Sequence, residues 1–188
     1  ITHCSISEVL LIKPEKIIDQ RGWFMENFRK NLLEEKVGHP LYFCQENITK
    51  SSFGVIRGLH YQMPPNAQSK LVSVMKGKVL DVILDIRKGS PSFGNYIAIE
   101  LSSQNQKQLF IPRGFAHGFS CLSETAILAY KVDSYYNKKA EASIAFDDPQ
   151  LAIDWKVPLE RQILSSKDRG HSTFEAAKYF DYNQSLYD

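Results

Sequence analysis

Residues 71–86 read LVSVMKGKVLDVILDI, and this stretch carries the strongest fold signal in the chain. Apolar residues alternate with others around Lys76-Gly77, which predicts two β-strands joined by a tight turn. Short apolar runs of the same kind follow at residues 96–101, 108–111 and 126–132. Clusters of glycine, proline, serine and asparagine separate them and indicate turns. Regularly spaced short strands favour a β-sandwich or a barrel.

Helical signals are few and lie outside this strand region. Residues 28–36 (FRKNLLEEK) predict a short helix that ends at Gly38. Ser172 and Glu175 have the spacing of a capping box, which predicts a helical C-terminal extension over about residues 171–188. We therefore expect one domain over residues 1–188, with an all-β core and a few short peripheral helices.

The composition limits the classes of function. The 188 residues carry a formal net charge of +2, and no basic run is longer than a pair such as Lys138-Lys139. Nothing in this charge pattern indicates a nucleic-acid partner or a membrane surface. The three cysteines form no CxxC motif, and the sequence shows neither a leader pattern nor an apolar run of about 18 residues. We expect a cytoplasmic protein without a disulfide framework.

Two histidines stand in apolar segments that contain glycine. His60 lies in RGLHYQ (residues 57–62), and His117 lies in IPRGFAHGF (residues 111–119). The two segments resemble the two motifs of the cupin superfamily, which implies a β jelly roll. Both histidines are therefore candidates for the lining of a cavity, although a lone histidine is more often structural.

The first of these motifs bears on metal binding. Metal-binding cupins carry an HxH pair at this point, whereas this chain has His60-Tyr61-Gln62. A transition metal prefers imidazole, carboxylate or thiolate ligands, so glutamine completes a poor ligand set. We predict that the protein uses no metal and no other cofactor.

A longer set of motifs resembles one family of cupin-type enzymes, the dTDP-4-dehydrorhamnose 3,5-epimerases. The resemblance runs from about residue 19 to residue 168, and the motifs occur in the order of the family. The matching segments are DQRGWFME (19–26), QEN (45–47), RGLHYQ (57–62), QSKLV (68–72), PRGFAHGF (112–119), YK (130–131) and DDP (147–149). The resemblance implies a thymidine-diphosphate 4-keto-6-deoxyhexose as substrate and inversion at C3 and C5 of the sugar.

The implied reaction needs only acid–base chemistry. The C4 ketone acidifies the hydrogens on C3 and C5, so a base can form an enolate, and a proton returned to the opposite face inverts the carbon. The resemblance makes His60 the base, Asp168 its carboxylate partner, Tyr130 the acid on the opposite face and Lys70 the cation beside the C4 oxygen. An imidazole that titrates near pH 6.5 suits the base, and a phenol stays protonated at pH 7. Without the resemblance, these positions would be assigned to a loop aspartate, a core tyrosine and a solvated lysine.

The resemblance also implies a substrate-binding set and a homodimer. Arginine presents a planar fork of donors that suits phosphate, and other members of the set read the nucleotide, partly across the dimer interface. The implied residues are Arg21 and Arg57 at the phosphates and sugar, His117 in the same cavity, Glu26, Gln45 and Asn47 at the nucleotide, Tyr136 stacked on the base, and Glu141 on the nucleotide side.

Other functions share parts of this pattern. An epimerase that inverts one carbon only, an epimerase for another nucleotide-linked 4-keto sugar and a ketoisomerase all use enolate chemistry. A sugar-binding cupin without activity is expected to lack the base or the acid, whereas this chain keeps both. A metal-dependent cupin oxygenase is disfavoured by Gln62. The joint presence of His60, Tyr130, Lys70 and Asp168 favours epimerisation.

Overall fold

A computed structural model of the chain describes residues 1–187. Almost all regular structure is β. The strands are β1 (Thr2–His3), β2 (Leu10–Ile12), β3 (Lys16–Asp19), β4 (Gly22–Met25), β5 (Gln45–Ser52), β6 (Ile56–Gln62), β7 (Lys70–Lys76), β8 (Lys78–Asp85), β9 (Arg87–Lys88), β10 (Tyr96–Ser102), β11 (Gln108–Ile111), β12 (Phe115–Cys121), β13 (Thr125–Val132), β14 (Glu141–Ser143) and β15 (Phe180–Asp181). One α-helix, α1 (Lys30–Val37), and two 3₁₀ turns, Leu159–Arg161 and Asp168–Gly170, complete the secondary structure of the described residues.

Two antiparallel sheets form the body of the protein. One has six strands in the order β1-β2-β11-β7-β13-β5, and the other has five in the order β10-β8-β12-β6-β14. Apolar side chains from both sheets meet in one core cluster, with Val72 and Leu128 from the first sheet and Ile83 and Phe119 from the second. This arrangement confirms the prediction of an all-β jelly roll with little helix.

Residues 71–86, which gave the strongest fold signal in the sequence, form a hairpin that links the two sheets. Strands β7 and β8 occupy residues 70–76 and 78–85, and Gly77 makes the turn with φ of 76°. A Cβ at this position would lie 2.1 Å from the carbonyl oxygen of Thr125, so only glycine fits. The prediction of two strands joined at residues 76–77 is confirmed.

Strand β8 is buried on both faces, which explains why it is almost continuously apolar. Val79 and Ile83 face the core between the sheets, whereas Leu80, Val82 and Leu84 face a second cluster. Trp155, Phe174 and Phe180 belong to that second cluster, so the C-terminal part of the chain covers the outer face of the five-stranded sheet.

The helix predicted over residues 28–36 is confirmed as α1, and Gly38 ends it with φ of 80° and an N–H donated to the Glu34 carbonyl. The helix predicted for the C-terminal extension, about residues 171–188, is wrong for its described part. Ser172 lies in a β-bridge with Ile144 instead, and the chain then runs in turns to β15. Burial of Phe174 and Phe180 against the sheet outweighs the local capping signal.

Among the described residues, no helix is long and apolar enough to cross a membrane.

Candidate active site

A cavity of about 390 Å³ opens between the two sheets. Its walls come from β5, β7 and β13 of the six-stranded sheet and from β6, β12 and β14 of the five-stranded sheet. The lining residues are Gln45, Asn47, Thr49, Arg57, His60, Tyr61, Gln62, Gln68, Lys70, His117, Gly118, Phe119, Leu128, Tyr130, Tyr136 and Glu141. The strands that fill the apolar core thus carry polar side chains where the sheets enclose the cavity.

The two motif histidines are neighbours across the sheet. His60 on β6 pairs in register with His117 on β12, although a bulge follows in the ladder. Gly58 and Gly118 allow this close approach, since a Cβ on Gly58 would lie 2.5 Å from the Gly118 Cα. Residues that oppose each other in an antiparallel pair point to the same side of the sheet, and both histidines line the cavity.

His60 forms a short hydrogen bond with Asp168. Its Nε2 lies 2.7 Å from Asp168 Oδ1, and the Ser165 hydroxyl donates to the other carboxylate oxygen at 2.6 Å. Asp168 is only 6% exposed. Burial by itself would raise the pKa of Asp168, but the hydrogen bonds from His60 and Ser165 outweigh it and hold that pKa well below its usual range. The Asp168 carboxylate is therefore ionised beside the His60 ring. Because Nε2 bonds to this carboxylate, Nδ1 is the ring nitrogen that can accept a proton.

Lys70 lies beside this pair. Its Nζ donates to the His60 carbonyl oxygen at 3.2 Å, and the residue is 8% exposed. Burial lowers the pKa of Lys70 to about 8, although Asp81 and Glu141 oppose part of this shift. The site thus holds a cation that stays charged at neutral pH and loses its proton in moderately alkaline solution.

Tyr130 reaches the cavity from the opposite sheet. It lies on β13, directly across from Asn47 on β5, and its ring packs against the apolar core. Burial raises the pKa of Tyr130, and the positive charge of Arg57 opposes this in part. The phenol therefore remains a proton donor throughout the neutral range, on the wall opposite His60.

Sequence reasoning missed the partner of His117. The Nε2 of His117 lies 2.9 Å from Asp81 Oδ2, and Asp81 is completely buried. Burial lowers the pKa of His117, and Asp81 opposes this shift. The available signal was a carboxylate inside the apolar run VLDVIL, because a buried charge requires a partner. His171, which lies against His60, was also missed.

Four of the predicted nucleotide-side residues, Gln45, Asn47, Tyr136 and Glu141, come together at the mouth of the cavity. Gln45 bonds to Asn47 at 2.8 Å and accepts the Tyr136 backbone N–H at 3.1 Å. The Tyr136 hydroxyl donates to Glu141 at 3.0 Å, and Lys167 forms an ion pair with the same carboxylate. Arg57 also lines the cavity, where Ser51 accepts its Nε–H at 3.1 Å. Five of the predicted binding residues, Gln45, Asn47, Arg57, Tyr136 and Glu141, thus share one site with His117.

Arg21 and Glu26 do not join them within one chain. Arg21 lies at the turn of the β3–β4 hairpin and pairs with Asp19 at 2.5 Å, and Glu26 follows β4 and pairs with Arg29 at 2.6 Å. Neither side chain lines the cavity of its own chain.

Gln62 is engaged in holding a loop. Its amide nitrogen donates to the backbone oxygens of Asn66 and Tyr135, and its oxygen accepts from the Asn137 N–H. Within residues 1–187, His60, Asp168 and His171 alone have the spacing of a metal-binding group. The 2.7 Å between His60 and Asp168 is a hydrogen-bond length, shorter than the separation of about 3.3 Å for ligands at tetrahedral zinc. The geometry is that of a hydrogen-bonded pair, and the absence of a metal requirement stays a prediction.

A carboxylate-bonded imidazole and a phenol stand on opposite walls of one cavity, and a buried lysine lies beside the imidazole. This arrangement on a jelly roll defines an acid–base isomerase of the cupin type. Comparison with known proteins gives the particular family. A family profile described as dTDP-4-dehydrorhamnose 3,5-epimerase matches residues 3–176. The chain belongs to the dTDP-4-dehydrorhamnose 3,5-epimerase family.

Individual relatives agree with this assignment. The chain is 46% identical over 175 residues to a dTDP-4-dehydrorhamnose 3,5-epimerase of Shigella flexneri, covering 93% of this chain and 96% of the relative. A crystal structure of a Legionella pneumophila 3,5-epimerase in complex with dTDP-4-keto-L-rhamnose superimposes with a TM-score of 0.92 at 43% identity, over 97% and 98% of the two chains. The 3'-monoepimerase ChmJ of Streptomyces bikiniensis, in complex with dTDP-quinovose, gives a TM-score of 0.86 at 30% identity, over 92% and 87%.

Proposed function

We propose that this protein inverts C3 and C5 of dTDP-4-keto-6-deoxyglucose and so forms dTDP-4-keto-L-rhamnose for nucleotide-sugar and cell-surface polysaccharide biosynthesis. The observation that carries the proposal is the placement of the hydrogen-bonded His60–Asp168 pair and Tyr130 on opposite walls of one cavity. Inversion at a carbon requires a proton to leave from one face and to return at the other, and this placement supports both steps.

The base side of the reaction begins at His60. Nδ1 takes the proton from C3 or C5, and the electron pair of the C–H bond moves into the enolate. Asp168 stabilises the imidazolium that results, because its carboxylate lies 2.7 Å from Nε2. The enolate oxygen gains its negative charge beside Lys70, which is protonated below about pH 8.

The acid side belongs to Tyr130. Its hydroxyl gives a proton to the opposite face of the same carbon, and the carbon then has inverted configuration. The resulting phenolate lies near Arg57, whose positive charge favours it. Before the second carbon reacts, His60 returns its proton to solvent and the Tyr130 phenolate takes up a proton from solvent. The two inversions therefore use the same groups in turn.

The remaining cavity residues hold the thymidine diphosphate. Arg57 and His117 contact the sugar and the phosphates, and Gln45 and Asn47 read the nucleotide. Tyr136 leaves Glu141 to stack on the base, since its ring is 54% exposed at the mouth of the cavity. The three cysteines are unpaired within residues 1–187, which supports the prediction of a cytoplasmic location.

The protein acts as a homodimer in this proposal. The β3–β4 hairpin exposes Ile17, Ile18, Trp23 and Phe24 by 62%, 77%, 55% and 67%. Such an apolar strip favours burial against a second copy of the chain. The same segment carries Arg21 and Glu26, which do not reach the cavity of their own chain, so the partner's cavity receives them.

Proton NMR in D₂O tests the activity. The purified protein with dTDP-4-keto-6-deoxyglucose should place deuterium at both C3 and C5 and produce the signals of the L-rhamno product. Deuterium and inversion at C3 alone would instead support a mono-epimerase, the activity given for the similar ChmJ structure. No exchange at either carbon would refute epimerisation.

Light scattering tests the dimer. We expect twice the chain mass of 21.5 kDa at micromolar protein. A paired Trp23→Ser and Phe24→Ser variant should shift the mass to that of a monomer and lower activity, because the cavity then lacks Arg21. A wild-type protein with the mass of one chain would contradict the dimer.

A further inference from the structure

His171 is a buried imidazole in contact with the proposed base pair. Its ring lies edge-on to the ring of His60, with centroids 5.2 Å apart and an interplanar angle of 75°. Its Nε2 lies 3.6 Å from Asp168 Oδ1, the oxygen that already bonds to His60. Its side chain is 3% exposed, and neither ring nitrogen has a hydrogen-bond partner within residues 1–187.

The backbone fixes the position of this ring. The 3₁₀ turn Asp168–Gly170 ends at the residue before His171. The residue after it, Ser172, forms a bridge with Ile144, and its carbonyl accepts the Ala145 N–H at 2.8 Å. The His171 ring is therefore held against His60 and Asp168 by anchors on both sides.

An imidazole in this place has a cost that a phenyl ring would avoid. Burying a ring N–H and a ring nitrogen without partners loses their hydrogen bonds to water. A phenylalanine of nearly the same shape would fill the space against His60 without that loss. The packing alone therefore does not explain a histidine here, whereas the nearness of its ring to the Asp168 carboxylate and to the Ile144 backbone carbonyl does.

We propose that His171 is a positioning residue for the base, which holds the His60 ring edge-on and turns an N–H toward Asp168. The Nε2–H tautomer is favoured because a nitrogen lone pair aimed at a carboxylate is repelled. At 3.6 Å the contact is longer than a hydrogen bond, so the N–H dipole acts on Asp168 through space. The inference rests on the proposed function, since it concerns the same proton-abstracting pair.

The effect of His171 is to keep His60 in its neutral, basic form. Asp168 favours the protonated form of His60, and a second N–H that faces the same carboxylate weakens this preference. His171 itself stays neutral, because burial lowers its pKa and the neighbouring His60 lowers it further, against the opposite effects of Asp168 and of the Ile144 backbone carbonyl. The other charged or titratable groups that face the pair are Lys167 in the same segment, Glu141 on β14, Lys70 on β7, and His117 on β12 with Asp81 behind it.

His171→Phe tests the proposal, because it keeps the ring and removes both nitrogens. We expect a folded protein whose KM is unchanged and whose acid limb of kcat/KM moves to higher pH by about half a unit to one unit. His171→Gln places an amide N–H near the position of Nε2 and should move the limb back toward that of the wild type. His171→Ala leaves the His60 ring unsupported and should lower kcat at all pH values.

A titration without substrate separates this inference from the proposed function. In protein labelled with ¹⁵N at histidine, the pH at which the His60 ring takes up its proton should rise in His171→Phe and return in His171→Gln. This measurement stands even if the protein proves not to epimerise the sugar. A folded His171→Phe variant with an unmoved His60 titration and acid limb would overturn the proposal. If His171→Phe fails to fold, the His60 titrations in His171→Gln and His171→Ala decide the question. Equal departures of these two titrations from that of the wild type would also overturn the proposal.

Discussion

Asp168→Asn removes one charge from the proposed base pair and almost nothing else. The amide oxygen can still accept the His60 Nε2–H, and the amide nitrogen can donate to Ser165, whose hydroxyl now donates to Asp168 at 2.6 Å. The shape of the side chain, the tautomer of His60 and the hydrogen bonds with His60 and Ser165 therefore survive. What disappears is the attraction between a carboxylate and the imidazolium that forms when His60 takes a proton.

The size of the loss follows from the geometry. Two unit charges about 4 Å apart attract by about 4 kcal/mol in the effective dielectric near a protein surface. The bond here is 2.7 Å long and the carboxylate side chain is 7% exposed, so water screens it little. Part of the interaction remains as a neutral hydrogen bond, which leaves a net loss of about 2–3 kcal/mol. That loss lowers kcat by about 30- to 150-fold, with little change in KM, because the charge on His60 exists only after proton abstraction.

The assay compares Asp168→Asn with a matched surface variant. Asp154 is exposed and pairs only with the nearby Lys156 in the described structure, so Asp154→Asn removes the same charge far from the chemistry. The kcat and the rate of deuterium exchange at C3 and C5 should fall together in Asp168→Asn. Both should stay at the wild-type level in Asp154→Asn. Circular dichroism should show both variants folded. A folded Asp168→Asn protein with kcat within threefold of the wild type would refute the role of the carboxylate.

Four further predictions concern the acid, the cation, stability and metal. Tyr130→Phe removes the proton donor but keeps the ring, so NMR should show deuterium entering the substrate without matching inversion; equal loss of exchange and inversion would contradict this division of roles. Burial lowers the pKa of Lys70 to about 8, so its charge and the kcat should decline as pH rises through about 8. Lys70→Met should have a low kcat without that decline, and a flat wild-type profile to pH 9.5 would count against the cation. Hydrogen bonds hold the pKa of Asp168 below its unfolded value near 3.9, so its contribution to stability is present above about pH 4 and is lost as pH falls further. Urea unfolding between pH 5 and 2.5 should therefore be less pH-dependent in Asp168→Asn, and parallel curves would argue against a depressed pKa. Activity should survive EDTA unchanged, because Gln62 is engaged by the backbone; loss with EDTA and recovery with zinc, iron or manganese would show a metal requirement.

Local sequence patterns predicted the elements that depend on local physics. Alternation over residues 71–86 predicts β7 and β8, and a glycine at residue 77 predicts the turn, because both depend on near neighbours in the chain. The same reasoning predicted α1 and its end at Gly38. It was wrong at Ser172, where a bridge to Ile144 and the burial of Phe174 decide the conformation.

The residues of the candidate site were likewise predicted only in part. Family motifs indicated His60, Lys70 and Tyr130, and the structure places all three at one cavity. Asp81 was missed because it lies in an apolar strand, and its partner His117 lies 36 residues further along the chain. His171 was missed because a histidine in a C-terminal loop has no sequence feature that ties it to His60.

The sequence by itself determined which residues form several of the central strands, where the turn between β7 and β8 lies and which types of acid, base and cation are present. The pairing of Asp168 with His60, which is 108 residues away, and the place of Tyr130 opposite His60 were expected from the family resemblance, but only the tertiary structure decided the 2.7 Å contact and the strands that bring these side chains together. Alternation assigns a side chain to one face of its own strand, but the order and packing of the strands determine what that face meets. Burial is likewise a property of the folded chain, so the lowered pKa of Lys70 arises only when two sheets close around its ammonium group.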